Sequence, residues 1–359
     1  MADAQAILLK QYKLCRRCFE RHGGGRERSD KCYICRGLMD NLDSIADLIL
    51  NALIGFEFQT FLIGATLPTQ IYEREDALRS RLKIRGRESV KNQLTRELGM
   101  RLARLAGKKV EYMKPDVTIS LMIGKENNVD VTVKSRPLAF AGRYVKKSRG
   151  VPQKQNRCPS CEGMGCKSCD YFGLSGYDSV EGVIAKGLVE MTGGQVPKFT
   201  WIGSEDQSSL VLGGGRPFYA RVFNPKKRKV KKKKIRGSGV QAELSLINEE
   251  PELQPRFRVK TRIQARCIRS LSRQDIKNLN SLAGTEVSFE NKWKTATKKI
   301  HSARAHRIDD TQFALTMVAD GGLMIKQFVG GEEYMKPNIS EILGSKCECV
   351  TFDILGVEL

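Results

Sequence analysis

The sequence has few acidic side chains for its basic content, and it has no apolar stretch long enough to cross a bilayer. It carries 40 Asp and Glu residues against 62 Lys and Arg residues, which gives a formal net charge of +22. The first ten residues lack the basic start of a secretory signal, since Asp3 stands there, and no cleavage-like pattern follows. These absences argue against a membrane protein and against a secreted one, so we expect a cytoplasmic protein.

The excess of positive charge predicts a partner that carries many negative charges. Nucleic acid and an anionic membrane surface both fit such a charge. Because no segment is apolar enough to span a membrane, a polyphosphate polymer is the favoured partner. At 359 residues, of which 40% are hydrophobic, the chain is long enough for two or three domains with cores of their own.

Most of the eleven cysteines fall into Cys-x-x-Cys pairs, which are grouped as two sets of four residues. In a reducing cytosol this spacing predicts metal binding rather than disulfides, because each pair directs two thiolates at one tetrahedral ion. We therefore predict one or two structural Zn²⁺ ions, although redox-active or simply buried cysteines would show the same pairs. The predicted ligands are Cys15, Cys18, Cys32 and Cys35 in the first set, and Cys158, Cys161, Cys166 and Cys169 in the second.

Hydrophobic periodicity predicts an α+β protein of three segments. Residues 1–54 hold the first cysteine set, and residues 55–150 are typical of a small α/β domain in which a long amphipathic helix ends at Gly107. Residues 151–359 contain short alternating strands with few helices. This last pattern predicts a mixed, mainly antiparallel sheet with a zinc knuckle at 158–169.

Basic residues cluster at three places where we expect contact with RNA. The linker before residue 150 is basic, and the run from Pro225 to Arg236 is so dense in like charge that we expect a mobile loop. From Phe257 to Cys267 apolar and polar residues alternate, which predicts a strand with one almost entirely basic face. The predicted RNA-binding residues are Arg143, Lys146, Lys147, Lys226, Lys227, Arg228, Lys229, Arg258, Lys260 and Arg262.

An acidic turn between two apolar strands is the candidate site for chemistry. Between Trp201 and Tyr219 the chain carries Glu205 and Asp206, and then a glycine triplet followed by Arg216. Acidic residues are scarce in this chain, so an acid on a short turn with an arginine close behind it is a candidate functional group.

Several segments in a fixed order carry a resemblance to a known family. They are the tract 142–153, the second cysteine set, the turn Gly-Ser-Glu-Asp at 203–206, the stretch Leu-Gly-Gly-Gly-Arg-Pro-Phe at 212–218, and the late segments 321–329 and 337–344. Together they resemble the archaeal and eukaryotic pseudouridine synthase 10 family. The resemblance covers most of the chain, but the first 70 residues match only through their cysteine pairs.

The resemblance implies isomerisation of uridine to pseudouridine in the T-loop of tRNA, at position 54, position 55 or both. It implies an N-terminal domain similar to a THUMP domain and a C-terminal pseudouridine synthase domain, with no redox or nucleotide cofactor. Asp206 stands at the place of the family's catalytic aspartate. Lys326 stands where the motif places a basic partner, and Arg216 is a second candidate for that role. A neighbouring cation would lower the pKa of such a carboxylate.

The sequence departs from the family at its active-site tyrosine, because no tyrosine lies between Tyr219 and Tyr334. Either another aromatic residue, Phe218 or Tyr219, stacks on the target base, or activity is weakened or its position preference is shifted. Met324 stands in a segment where a tyrosine is common. We therefore predict Met324, Glu205, Phe218 and Tyr219 as substrate-binding residues.

Two other functional classes compete with an RNA-modifying isomerase. A non-catalytic zinc-containing tRNA-binding protein, or a tRNA chaperone that retains the synthase fold, would show the same charge and cysteines. A dithiol redox protein would explain the cysteine pairs but not the charge. Under the leading hypothesis tRNA is the partner, no protein partner is implied, and we expect a monomer.

Overall fold

The computed structural model divides the chain into two compact units. The first contains Met1–Arg136 and Asn224–Arg228, and the second contains Pro137–Phe223 and Lys229–Leu359. The structure describes residues 11–24, 32–230, 233–248, 251, 255–291 and 294–359. None of the helices in this part of the chain combines the length and the apolar character that a bilayer crossing requires.

Helices and strands alternate in the first unit, and strands dominate the second. The helices are α1 Arg16–Arg21, α2 Leu42–Ala52, α3 Thr69–Arg81, α4 Val90–Ala106, α5 Val180–Thr192, α6 Arg273–Asn280, α7 Ile325–Gly330 and α8 Ile339–Leu343. The strands are β1 Thr60–Thr66, β2 Lys109–Val110, β3 Val117–Ile123, β4 Val129–Ser135, β5 Leu138–Lys146, β6 Lys198–Trp201, β7 Val211–Val222, β8 Lys233–Gly237, β9 Val240–Ile247, β10 Arg258–Cys267, β11 Glu286–Asn291, β12 Lys294–Arg307, β13 Gln312–Asp320, β14 Met335–Lys336 and β15 Cys347–Glu358.

A four-stranded sheet in the order β2-β1-β3-β4 organises the first unit. Strand β1 runs parallel to β2 and β3, whereas β4 pairs with β3 in the antiparallel direction. The apolar side of α4, including Leu98, shares a core with Phe61 and Ile119 of the sheet. Ser89 caps the start of α4, and Gly107 ends it in the left-handed conformation, where the sequence predicted the end of this helix.

The first cysteine set belongs to the same core as the sheet. Cys18 and Cys35 are buried in one apolar cluster with the residues of α2, α4 and β1. Arg21 of α1 forms a buried ion pair with Glu75 of α3, with 3.0 Å between the guanidinium and the carboxylate. The described residues before position 54 therefore form no core of their own, and the boundary predicted there differs from the structure.

An eleven-stranded sheet organises the second unit, in the order β14-β11-β12-β13-β10-β15-β7-β5-β9-β8, with β6 paired to β7. Strands β15 and β7 are parallel, and neighbours such as β10 and β13 are antiparallel. This is the mixed, mainly antiparallel sheet that the sequence predicted. Strand β5 pairs with β7 and β9. The second unit therefore begins at Pro137, ahead of the boundary predicted at residue 150, because long-range strand pairing draws β5 into its sheet.

The large sheet has one face covered by helices, which we call the covered face, and an opposite open face. On β10 the buried residues Thr261 and Ile263 point to the covered face, while Lys260 and Arg262 are exposed on the open face. Helix α5 packs on the covered face against β7 and β9, and α6, α7 and α8 pack there against the other half of the sheet. The strict alternation predicted for this strand is confirmed.

Part of the basic run from Pro225 to Arg236 has partners among the described residues, while Lys226, Lys227 and Lys229 are exposed. The guanidinium of Arg228 lies 3.3 Å from the carboxylate of Asp116 and donates a hydrogen bond of 2.9 Å to the Ser135 hydroxyl. Strand β8, at the end of the run, pairs with β9. Arg228 and β8 therefore pack against the rest of the chain, contrary to the expectation that charge this dense cannot pack, because an acidic partner and a strand neighbour offset the repulsion. The mobility of the loop stays a prediction. Residues 231–232 lie outside the described part.

Candidate active site

The acidic turn lies between β6 and β7 and forms one side of a cavity of about 400 Å³ on the covered face. Gly203 begins the turn with φ of +78°, and a Cβ atom there would collide with the guanidinium of Arg216. The opposite walls come from β10, β13, β15 and the start of α7. The turn, the sheet and a helix N-terminus thus surround one space.

Asp206 and Lys326 meet at this cavity, although they lie far apart in the sequence. The Lys326 Nζ donates to Asp206 Oδ2 at 2.6 Å, and the side chains are 54% and 32% exposed, so both are open to solvent. The backbone N–H and the hydroxyl of Ser208 donate to Asp206 Oδ1 at 2.9 and 2.6 Å. The hydrogen bond from Lys326, with those from Ser208, lowers the pKa of Asp206 to about 2. The carboxylate is therefore ionised at neutral pH.

Glu205, the neighbour of Asp206, lies inside the protein between two cations. Its side chain is fully buried, with Lys146 Nζ 3.2 Å from Oε1 and Arg216 Nε 3.6 Å from Oε2. The Tyr144 hydroxyl donates to Oε2 at 2.8 Å. Burial and the nearby Glu205 charge raise the pKa of Tyr144 well above its usual value, so the phenol stays protonated as a donor. We call these four residues the buried charge cluster.

The buried charge cluster also holds the backbone of the turn. Lys146 donates to the carbonyl oxygens of Asp206 at 3.1 Å and Val151 at 2.8 Å. Arg216 donates to the carbonyl oxygen of Ile202 at 2.7 Å. The turn that carries Asp206 is therefore fixed on both sides by cations from β5 and β7.

Three predicted roles need correction because of this burial. Lys146 was predicted to contact RNA, but its side chain is fully buried and its ammonium group is occupied by Glu205 and by carbonyl oxygens. Glu205 was predicted to bind substrate, but its carboxylate is enclosed by the cluster. Arg216, a candidate partner for Asp206, is paired with Glu205 and acts on Asp206 only through the turn.

The two aromatic residues predicted to hold the target base are not at the cavity. Phe218 is 1% exposed and packs against Tyr144 and Trp201 in the core. Tyr219 follows it on β7 and therefore faces the open side of the sheet, where it lines a different cavity. Both predictions are wrong. Met324, by contrast, does line the Asp206 cavity.

The sequence reasoning missed the aromatic side chains that do line the cavity. Phe257 precedes β10 and Phe352 lies on β15, and both border the space beside Asp206 together with Thr261 and Met317. The alternation of β10 could have identified Thr261, since it marks the buried face of that strand. Nothing in the local sequence indicates that β15 lies beside β10, so Phe352 could not have been found in this way.

The residues predicted to bind RNA lie in several environments. Lys147, Lys226, Lys227 and Lys229 are exposed. Arg258, Lys260 and Arg262 are exposed on the open face, away from the Asp206 cavity. Arg228 is partly buried against Asp116. Arg143 donates to the carbonyl oxygens of Gly214 and Gly215 at 2.7 and 3.1 Å, so it holds backbone in place.

Both predicted cysteine sets converge to metal-binding geometry. Within each set the four sulfur atoms lie within 4.8 Å of one another. The Cys15 and Cys35 sulfurs are 3.6 Å apart, and the Cys158 and Cys166 sulfurs are 3.9 Å apart. Four thiolates around a tetrahedral ion with bonds of about 2.3 Å would be about 3.8 Å apart, so both sets fit such an ion.

Backbone amides support the second set. The N–H groups of Gly165 and Gly173 donate to the sulfurs of Cys161 and Cys169 at 3.2 and 3.1 Å. Such bonds favour the thiolate form, and backbone hydrogen bonds to Cys169 lower its pKa to about 7. These hydrogen bonds favour cation binding by the second set, even though two of its four cysteines are partly exposed.

Comparison with known proteins identifies the family. Residues 140–358 match the family model described as Pus10, C-terminal, and residues 45–121 match that of the Pus10 THUMP domain, archaeal. The chain belongs to the Pus10 family. The Pus10 C-terminal match contains Asp206, Lys326 and the second cysteine set, and the THUMP match lies in the first unit. The domain types that the sequence resemblance implied are confirmed.

Curated relatives extend the Pus10 match along nearly the whole chain. A protein of Nitrosopumilus maritimus (strain SCM1) is 33% identical over 98% of this chain and 96% of its own length. A protein of Cenarchaeum symbiosum (strain A) is 34% identical over 92% of this chain and 82% of its own length. One of Korarchaeum cryptofilum (strain OPF8) is 30% identical over 93% of each. All three are named tRNA pseudouridine synthase Pus10.

Removing the ammonium group beside Asp206 should raise the pKa of its carboxyl group. In Lys326→Met the strongest hydrogen bond to the carboxylate is lost, so we expect the Asp206 pKa to rise from about 2 toward its usual range. A ¹³C NMR titration of the Asp206 carboxyl carbon measures this shift. The exposed Lys277→Met is the matched control and should leave it unchanged. An unchanged pKa in Lys326→Met would show that Ser208 alone stabilises the charge.

Proposed function

We propose that this chain is a tRNA pseudouridine synthase in which Asp206 is the catalytic aspartate. The observation that carries the proposal is the ionised carboxylate of Asp206, held by Lys326 at 2.6 Å at a cavity inside the Pus10 C-terminal match. The relatives of this chain are named for the same activity. A carboxylate that is both ionised and open to solvent is free to act on an incoming ribose.

The reaction rearranges the substrate without a co-reactant. Asp206 acts at the ribose, so that the bond between uracil N1 and C1′ breaks and the base is released but stays in the cavity. The base then turns and forms a bond from its C5 to C1′; the C5 proton leaves, and N1 carries a proton in the product. Atoms and electrons balance, so no redox or nucleotide cofactor is required. Lys326 keeps the Asp206 carboxylate charged and oriented for the first step.

The cavity sets how the target uridine is held. A base inside an RNA loop has to leave its stack to reach Asp206. The side chains that line the cavity near Asp206 include Phe257, Phe352 and Met324, which offer apolar surface to a flat base. We infer that these residues replace the tyrosine that the family resemblance led us to expect. The T-loop uridines at position 54, position 55 or both are the proposed targets.

Other surfaces fit a tRNA partner. The first unit carries the THUMP match and the exposed lysines Lys226 and Lys227. We propose that this unit binds the tRNA backbone, which would make affinity fall as salt rises. We also infer a cytoplasmic location, in line with eleven cysteines that form no disulfide. We expect the protein to be a monomer.

Zn²⁺ is the proposed ion of both cysteine sets. Four thiolates whose sulfur atoms all lie within 4.8 Å of one another suit a tetrahedral ion that takes sulfur ligands and has no redox chemistry of its own. In the first set the ion would join α1 to the core of the first unit. Both ions would therefore stabilise structure and take no part in the isomerisation.

Replacing the Asp206 carboxylate should abolish activity without abolishing tRNA binding. For Asp206→Asn we expect the rate to fall by at least about a thousandfold, because the amide cannot supply the charge. The measurement is in vitro modification of an unmodified tRNA, with pseudouridines mapped by carbodiimide-based primer extension, and tRNA affinity measured in parallel. The matched control is the exposed Asp47→Asn on α2.

The same experiment separates the two functional classes. Wild-type protein should produce pseudouridine in the T-loop, and Asp206→Asn should bind tRNA with nearly unchanged affinity. Pseudouridine formation by Asp206→Asn would exclude the proposed role of its carboxylate. Tight tRNA binding with no pseudouridine from the wild-type chain would instead support a tRNA-binding protein or chaperone that lacks catalysis.

Metal analysis should find about two zinc ions per chain, one for each set of four thiolates. Cys18→Ser and Cys161→Ser should each lose one ion, and Cys18→Ser should also destabilise the first unit because its set lies in that core. Mass spectrometry for metals and thermal unfolding measure these effects. Cys349→Ser, outside both sets, is the control. A folded protein that contains no zinc would contradict both sites.

A further inference from the structure

The open face of the large sheet carries unpaired positive charge. On β10 the side chains of Arg258, Lys260, Arg262 and Arg266 are exposed in a row, and none forms an ion pair with a residue in the described part of the chain. Strand register places Arg304 of β12 on the same face, because Thr316 of β13 lies between it and Arg262. Side chains in a sheet repeat every second residue, so these cations form a continuous surface.

Acidic residues of the neighbouring strand β15 lie opposite part of this row, Glu358 beside Arg258, Asp353 beside Arg262 and Glu348 beside Arg266, but no ion pair joins them to it within the described residues. Glu243 of β9 lies 2.8 Å from Lys234, and Asp353 of β15 lies 2.7 Å from Arg149. Lys260 and Arg304 have no acidic residue opposite them in the register, and positive charge of this kind attracts a polyanion.

A groove of about 700 Å³ opens on the same face around Tyr219. The ring of Tyr219 is partly exposed, and Lys147, Gln241 and Ser245 line the groove around it. The groove also has apolar walls from Val145 and Leu212, and its acidic residue Glu243 is paired with Lys234. A partly exposed aromatic ring beside a lysine suits a flat ligand that carries phosphate.

Gly214 at the edge of the groove is not explained by the fold. Its φ is not positive, and a Cβ atom built there would meet no other atom within 4 Å. Neither the backbone nor the packing therefore requires glycine. Arg143 holds the backbone at this position, because it donates to the Gly214 carbonyl oxygen at 2.7 Å. Because Gly214 has no side chain, the groove stays open at this position, and a ligand can come close to the backbone there.

We propose that the open face is a second RNA-binding site that takes an unpaired strand. The phosphates follow the cations of β10, and one base stacks on Tyr219 in the groove. An unpaired strand fits better than a double helix, because only unstacked bases offer a face to an aromatic ring. It also fits better than an acidic protein, because the Tyr219 ring in the groove offers a flat surface on which a base can stack.

This site is separate from the Asp206 cavity. Thr261 and Arg216 of the cavity lie on the covered face, whereas Arg262 and Tyr219 lie on the open face of the same strands. A uridine at Asp206 and a strand on the open face would approach the sheet from opposite sides. The strand bound here is therefore a part of the RNA other than the modified loop, or a second RNA molecule.

The test is the binding of a fluorescent oligouridylate of about 12 nucleotides to the full-length protein, followed by anisotropy at several salt concentrations. Tyr219→Leu should weaken binding about tenfold and leave the salt dependence unchanged, because it removes stacking only. Lys260→Glu with Arg262→Glu should weaken binding about tenfold and reduce the salt dependence. The charge-matched control, Arg273→Glu with Lys277→Glu on α6, should change affinity by less than about twofold.

Further variants separate the site from a folding defect. Tyr219→Phe keeps the ring and should retain affinity, and Gly214→Leu should weaken binding without lowering the melting temperature. At saturating tRNA the rate of isomerisation by Tyr219→Leu should match that of the wild type, because this residue lies outside the Asp206 cavity. Equal losses in the α6 control, full affinity in Tyr219→Leu, or displacement of the oligonucleotide by polyglutamate as effectively as by unlabelled RNA would overturn the proposal.

Discussion

The candidate active site depends on one buried interaction, the carboxylate of Glu205 between the cations of Lys146 and Arg216. All three side chains are at most 3% exposed. Removing the Glu205 carboxylate would leave two cations in the interior without a counter-charge, and breaking a buried pair in this way costs about 3–5 kcal/mol. The three groups therefore hold each other in place, and through their hydrogen bonds to backbone carbonyls they also hold the turn that carries Asp206.

The adjacent residues Glu205 and Asp206 consequently have different structural roles. Glu205 points inward and fixes the turn, while Asp206 points to the cavity, where Lys326 meets it from a helix more than a hundred residues later. Strands β5 and β7 supply the cations that hold the turn, and β10, β13 and β15 supply the opposite wall. The sheet thus brings together residues that no local sequence pattern connects, and it leaves its other face free for a separate partner.

Local chemistry was predictable from the sequence, and burial was not. The cysteine spacing, the alternation of β10 and the end of α4 at Gly107 follow from short-range rules, and the structure agrees with them. Lys146 lies in a basic stretch, which predicts an exposed side chain. The local pattern does not indicate its burial, because its partner Glu205 is distant in the sequence. The structure does not place Phe218 and Tyr219 beside Asp206, where stacking on the target base would require them. The orientation of these side chains depends on which face of β7 is covered, and helices elsewhere in the chain determine that.

The most direct measurement is the single-turnover rate of tRNA isomerisation by Glu205→Gln, alongside its tRNA affinity. The substitution keeps the shape of the side chain but leaves Lys146 and Arg216 without their counter-charge. The rate should fall by at least about a hundredfold while tRNA affinity changes by less than about threefold, because only the turn around Asp206 is disturbed. The exposed Glu190→Gln on α5 should behave as the wild type. A folded Glu205→Gln protein with the wild-type rate would show that the buried charge cluster does not position Asp206 for the proposed reaction.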